Sequence, residues 1–217
     1  MILNKVRLSL IAALSFISFA CAQEQDTVGQ GQTAPRPDQD SVRPQVIIDT
    51  NFGEMQAELF SDLAPITVDN FLAYIDEGFF DQLIFHRVIA NFMIQGGGFN
   101  AQMEQKRPSR DPIINEAEHS AKNSRGTLSM ARTNDPHSAT SQFFINLVDN
   151  AFLDYGRNNP GYAVFGQLLS GFEVLDAISA EPTTTRRGHH DVPEQPIIIN
   201  SIRLLEAEQP EEPEPNP

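Results

Sequence analysis

From residue 65 the chain sets Val68, Phe71, Leu72 and Ile75 at i, i+3, i+4 and i+7, the spacing that lines one face of an α-helix with apolar side chains. Pro65 suits the opening turn, where its missing N–H would have no partner, and Gly78 follows as a stop, so a helix is predicted between them. A shorter helix is predicted over Phe172 to Ser179, where Phe172, Leu175 and Ile178 fall along one side after Gly171. Elsewhere the pattern reads as strand: Val46–Thr50, Glu54–Leu59, Leu83–Val88, Phe92–Gly96, Thr127–Ala131, Gln142–Leu147, Ala163–Leu168 and Ile197–Leu204. Met55, Ala57 and Leu59 alternate with Glu54, Gln56 and Glu58, which suits a sheet with one wet face, and Asn51-Phe52-Gly53 reads as a hairpin turn. Helices do not alternate with strands, which argues against a parallel sheet. The expected fold is mainly β: a closed eight-stranded antiparallel barrel, which removes exposed edges, capped by two α-helices.

The ends of the chain have a different character. Lys5 and Arg7 precede an apolar run from Leu8 to Ala20, too short to span a bilayer and laid out as an export signal, so residues 1–22 are read as a signal peptide and the chain as exported to a periplasm. Ala20-Cys21-Ala22 fits a small-x-small cleavage site, while Cys21 also sits where a lipidated N-terminal cysteine would lie; both outcomes remain open. Residues 23–44 hold too few apolar side chains to offset the entropy of ordering them and read as a linker. Residues 206–217, acidic and proline-rich, read as a solvated tail, which leaves residues 45–205 as the folded domain.

Composition narrows the function. Acidic residues number 29 against 15 basic, a formal net charge of −14, which opposes nucleic acid and anionic bilayers as partners; membrane attachment is expected only through a lipid on Cys21. With 15 Phe and no Trp, the core should be built on phenylalanine, and one Cys excludes an internal disulfide. No GxSxG, Walker A, HExxH or CxxC motif is present, and Gly96-Gly97-Gly98 lacks the Lys and Ser/Thr of a phosphate loop. His189-His190-Asp191, between Gly188 and Pro193, reads as a solvated loop rather than a metal site, and His119 and His137 read likewise. No metal or organic cofactor is implied.

The unusual stretch is Phe85 to Asn100, FHRVIANFMIQGGGFN. Arg87 lies among Phe85, Val88, Ile89, Phe92, Met93 and Ile94, and a guanidinium cannot shed its charge to escape burial, so it must face a cleft or a hydrogen-bonding partner. A side chain snorkelling over a barrel rim is the plainer reading. Gln95, Gln142 and Asn146 repeat the pattern of an amide on or beside an apolar strand.

FHRVIANFMIQGG (85–97), GTLSMAR (126–132), SQFFINL (141–147), NAFLD (150–154), YAVFG (162–166) and VPEQPIIINSIRLL (192–205) together resemble the cyclophilin family of peptidyl-prolyl cis-trans isomerases, especially its bacterial exported members. The resemblance covers residues 45–205 and implies the capped eight-stranded barrel expected above. It also implies an enzyme that speeds X-Pro rotation, with proline-containing segments of unfolded or exported proteins as partners and a monomer as the working form. By motif position it implies Arg87 as catalytic, with Gln95 holding the substrate backbone and orienting the arginine, and His86 beside them; a structural histidine is a fair alternative reading of His86. Phe92, Met93, Phe144 and Leu153 would take the proline, with Ala131, Arg132 and Gln142 along the adjoining groove. Phe152, standing where many eukaryotic members have Trp, and Tyr162, where they have His, would also contact the substrate; Ala90 replaces a usual Pro, and Arg132 a common Asn. Loss of the indole N–H implies weak cyclosporin binding. A non-catalytic peptide-binding or chaperone module using the same groove is the alternative.

Overall fold

A computed structural model describes residues 43–205. The expected signal peptide, Cys21, nearly all of the 23–44 linker and the acidic tail lie outside the described residues. In chain order the elements are β1 (Gln45–Thr50), β2 (Gly53–Leu59), α1 (Pro65–Asp76), β3 (Leu83–Ile89), β4 (Met93–Asn100), β5 (Thr127–Met130), β6 (Phe143–Asn146), β7 (Val164–Ser170), α2 (Phe172–Ser179), β8 (Thr183–Arg186), β9 (His189–Pro193) and β10 (Ile198–Leu205), with a 3₁₀ turn at Ala151–Leu153. Eight strands close an antiparallel barrel in the order β1-β10-β3-β4-β6-β5-β7-β2. The expected fold is therefore the observed one.

Local chemistry accounts for the elements that frame the barrel. Thr50 pairs with Gly53, so Asn51 and Phe52 form a two-residue hairpin turn. Helix α1 starts at Pro65 although Ala64 offers no capping side chain. Its first free amides are satisfied instead by a distant carboxylate: Ile66 N and Thr67 N donate to Glu116 at 3.1 and 2.8 Å. Phe71 of α1 meets Phe143 and Phe165 of the barrel at ring-centroid distances of 5.3 and 4.9 Å. From α2, Leu175 and Ile178 join the same buried cluster. The core is thus phenylalanine-rich, each fully buried side chain contributing about 1.5–3 kcal/mol of transfer free energy.

Three features depart from expectation. His189-His190-Asp191, read as a loop between Gly188 and Pro193, lie in the second strand of a hairpin, β8–β9, that forms a two-stranded sheet of its own. Its first strand, Thr183–Arg186, is polar and mostly exposed, so it carries no alternation to betray it. Strand β4 does not stop at Gly96 but continues to Asn100. Finally, Arg43 of the expected linker is anchored, ion-paired with Glu58 at 3.0 Å and Asp62 at 2.8 Å.

Candidate active site

The site lies on the outer face of the barrel wall, and a bulge in β3 creates it. Phe85 pairs with Gly96 while Arg87 pairs with Gln95, so two steps along β3 match one along β4. Because side chains alternate between faces, the extra residue sends Phe85 into the core and brings Arg87 out beside Gln95. The same alternation puts Phe143 and Ile145 of β6 inside and Phe144 outside.

On that outer face Met93, Phe144 and Leu153 form a small buried cluster, with Ile89, Phe92, Ala131 and Tyr162 packed around it. All of these but Ile89 line an open pocket of about 120 Å³ together with Arg87, Gln95 and Arg132. One rim is cationic and amide-bearing, and the floor is apolar. Next to it a second groove of about 250 Å³ shares Gln95, Ala131 and Arg132 and adds Gln142 and Thr133.

The polar rim is organised by contacts between side chains. Arg87 Nη1 donates to Gln95 Oε1 at 3.5 Å, and Gln95 Nε2 donates to Gln142 Oε1 at 3.0 Å. Gln142 can lie against β4 because Gly98 has no side chain: a Cβ there would fall 2.6 Å from the Gln142 amide carbon. Gly97, at φ +80°, leaves room for the Ser141 carbonyl, which a Cβ would approach to 2.8 Å. Arg132 Nε and Nη1 donate to the Gly161 and Thr133 carbonyls at 3.0 and 2.9 Å, while its guanidinium stacks 4.3 Å from the Tyr162 ring centre. Asp191 Oδ2 stands 3.7 Å from Arg87 Nε. These two side chains are 42% and 41% exposed, so water screens the pair to under about 1 kcal/mol and the guanidinium keeps its charge toward the pocket.

A buried amide network braces the pocket from behind. Asn150 Nδ2 donates to Asn146 Oδ1 at 2.8 Å and to the Phe92 carbonyl at 2.9 Å. Asn146 in turn donates to Thr127 Oγ1 at 2.9 Å. The 3₁₀ turn carrying Leu153 is therefore tied to the strand that carries Phe144 and to the β3–β4 turn that carries Phe92. Asn146, fully buried, is a brace and offers no amide to the pocket.

Ten of the twelve site residues expected from sequence line the pocket or its groove: Arg87, Phe92, Met93, Gln95, Ala131, Arg132, Phe144, Leu153 and Tyr162 at the pocket, Gln142 at the groove. Phe152 stands just outside, 66% exposed and stacked on Phe92 at 5.6 Å. His86 is a correction. It is buried, packed 4.6 Å from the Phe99 ring, and Nδ1 has no hydrogen-bond partner. Burial, then the neighbouring His189 and Arg87, push its pKa down to about 4, so it is a neutral structural imidazole. Asp191 was missed because the segment holding it reads as loop; the signal was Arg187-Gly188 between Thr-rich and Val-containing flanks, a two-residue hairpin turn.

The sequence profile described as cyclophilin type peptidyl-prolyl cis-trans isomerase/CLD matches residues 45–204, the whole barrel with its site. The chain belongs to the cyclophilin family. It is 52% identical over 163 residues to the peptidyl-prolyl cis-trans isomerase cyp18 of Streptomyces antibioticus, covering 74% of this chain and 98% of that one. It is 49% identical over 164 residues to peptidyl-prolyl cis-trans isomerase B of Escherichia coli, covering 74% and 99%. Among solved structures, a cyclophilin type isomerase of Cryptosporidium parvum superposes with a TM-score of 0.63 at 31% identity, covering 76% of this chain and 99% of that one; the same protein was also crystallised in the presence of the dipeptide Ala-Pro, with a TM-score of 0.62. This cyclophilin is an isomerase, and its outer-face pocket joins a fixed cation to an apolar floor with no metal-binding cluster among the described residues.

Proposed function

We propose that this cyclophilin accelerates rotation about X-Pro bonds in proteins that have crossed a membrane, using Arg87 as the catalytic group. A peptide bond resists rotation because the nitrogen lone pair is delocalised into the carbonyl; the barrier is about 18–20 kcal/mol, and X-Pro bonds exchange unaided in roughly tens to hundreds of seconds. At the twisted transition state delocalisation is lost and the prolyl nitrogen becomes basic. Met93, Phe144, Leu153 and Phe92 hold the ring, Gln95 holds the backbone beside it, and Arg87 donates to the developing lone pair. In a partly dry pocket that donation is worth more than in water, and it strengthens only as the bond twists, so it lowers the barrier rather than merely tightening binding.

The observation that carries this reading is the placement of a charged guanidinium at the mouth of an apolar pocket, oriented by Gln95. A proline-limited refolding assay tests it: wild type speeds the slow phase, and Arg87→Ala, still folded, does not. Aggregation suppression that survives Arg87→Ala while refolding catalysis is absent in wild type would instead support a chaperone module.

The export setting rests on Lys5 and Arg7 ahead of the apolar run to Ala20. Mass spectrometry of the mature N-terminus tests it and separates a lipidated Cys21 from a cleaved one. Cyclosporin is expected to bind weakly, because Phe152 presents no N–H donor.

A further inference from the structure

The hairpin β8–β9 turns at Arg187-Gly188, whose φ values of 48° and 81° are the left-handed pair that matches the twist of two short strands. Beyond the turn the ladder is irregular. Arg186 pairs with His189 and Thr184 with Val192, so two steps on β8 oppose three on β9, and the irregular stretch contains Asp191 at φ 60°. A left-handed residue other than glycine is uncommon, although Asp tolerates it better than most, and such residues persist where their surroundings over-determine them. Here both flanks of Asp191 are pinned. Val192 is buried with Ile84, Phe99 and Met103, and the His189 ring packs 5.0 Å from Phe99. Of the two residues between them, Asp191 turns its carboxylate to Arg87, Oδ2 lying 3.7 Å from Nε.

We infer that Asp191 is a positioning residue for Arg87, its bulged backbone holding a carboxylate against the Nε edge of the guanidinium. Gln95 meets Nη1. With Nε facing Asp191 and Nη1 facing Gln95, Nη2 is the nitrogen with no contact to either among the described residues, and it is the one offered to the prolyl amide. A long, rotamer-rich side chain is thereby ordered before substrate arrives, without being neutralised. The inference rests on Arg87 being catalytic, and its test separates the two.

Asp191→Asn is the informative substitution, because Asn keeps the shape and the left-handed backbone while removing the charge. With the full chain and an uncharged prolyl peptide, kcat is expected to fall about two- to fivefold, the range of an exposed ion pair, with KM unchanged. In an Arg87→Lys background, which has no Nε to hold, Asp191→Asn should cost nothing further. Unchanged or raised kcat in the single variant, or the same fold-loss in both backgrounds, overturns the inference. If the variant fails to fold, wild type alone decides: kcat should drop toward the same level as salt rises from about 0.01 to 1 M, and a flat profile overturns it. An Arg87→Ala enzyme as active as wild type would remove the catalytic role itself, whereas an impaired Arg87→Ala with a fully active Asp191→Asn removes Asp191 alone.

Discussion

Arg87 and Gln95 face each other across β3 and β4, Nη1 3.5 Å from Oε1, and they do so only because one extra residue in β3 turns the arginine out of the core. Gln95 is itself held by Gln142, so orientation passes along three polar side chains set into an otherwise apolar wall.

Gln95→Leu removes the acceptor for Nη1 and the donor to Gln142 at similar size. A net hydrogen bond is worth about 1 kcal/mol, so kcat/KM should fall about fivefold or more, with the melting temperature little changed. Peptide kinetics paired with thermal unfolding check it; loss of fold without that kinetic signature would make Gln95 a structural residue.

His86 gives a pH dependence with a definite sign. Its folded pKa of about 4 lies below the ordinary 6.5, so between these values the unfolded chain takes up a proton that the folded one refuses. The stabilisation is fully present above pH 6.5 and is lost as pH falls toward 4, on the order of 3 kcal/mol in all. Asp62, whose carboxyl is held below its usual value by hydrogen bonding to Arg43, acts only at lower pH. Urea midpoints for wild type and His86→Phe across this window should show a shallower slope in the variant; equal slopes would exclude His86 as the source.

Asn150→Ala strands one buried acceptor, Asn146 Oδ1, and removes one of the two donors to the Phe92 carbonyl, which keeps the Leu147 amide. Destabilisation of about 1–3 kcal/mol is expected, with weaker peptide binding as Phe92 and the Leu153 turn lose their tie. Denaturant unfolding and KM measure the two effects.

Arg132 has no ion-pair partner among the described residues and shares both pocket and groove. Peptides with a glutamate just before proline should therefore bind about two- to fivefold tighter than those with glutamine, and Arg132→Asn should abolish the difference. Titrations with the two peptides test this; equal affinity for wild type would deny Arg132 a part in selection.

The barrel was legible because its strands carry alternating or continuous apolar runs, and α2 because Gly171 and the Phe172/Leu175/Ile178 spacing mark it residue by residue. What stayed hidden depends on register rather than composition. Thr183–Arg186 is polar throughout, so no hydrophobic pattern separates it from loop. The Gly96–Gly98 run looked like a strand end, yet it continues the ladder because glycine alone fits beneath Ser141 and Gln142. His86 belongs to the same motif as Arg87, but a bulge decides which neighbour faces the pocket, and periodicity cannot report a bulge. Asn146 had the look of a site amide and proved to be a brace, a distinction set by Asn150, Asn123 and Thr127, which lie four to 23 residues away.

The central claim is that one guanidinium lowers the rotational barrier of a bound prolyl bond. Exchange spectroscopy of an uncharged X-Pro peptide at equilibrium, with wild type and Arg87→Ala each at saturating peptide, measures that step directly. The account predicts fast cis-trans exchange with wild type and a loss of about a hundredfold or more with the variant, at nearly equal peptide affinity, since about 3 kcal/mol of transition-state stabilisation corresponds to that factor. Exchange within twofold of wild type in a folded Arg87→Ala protein would contradict it.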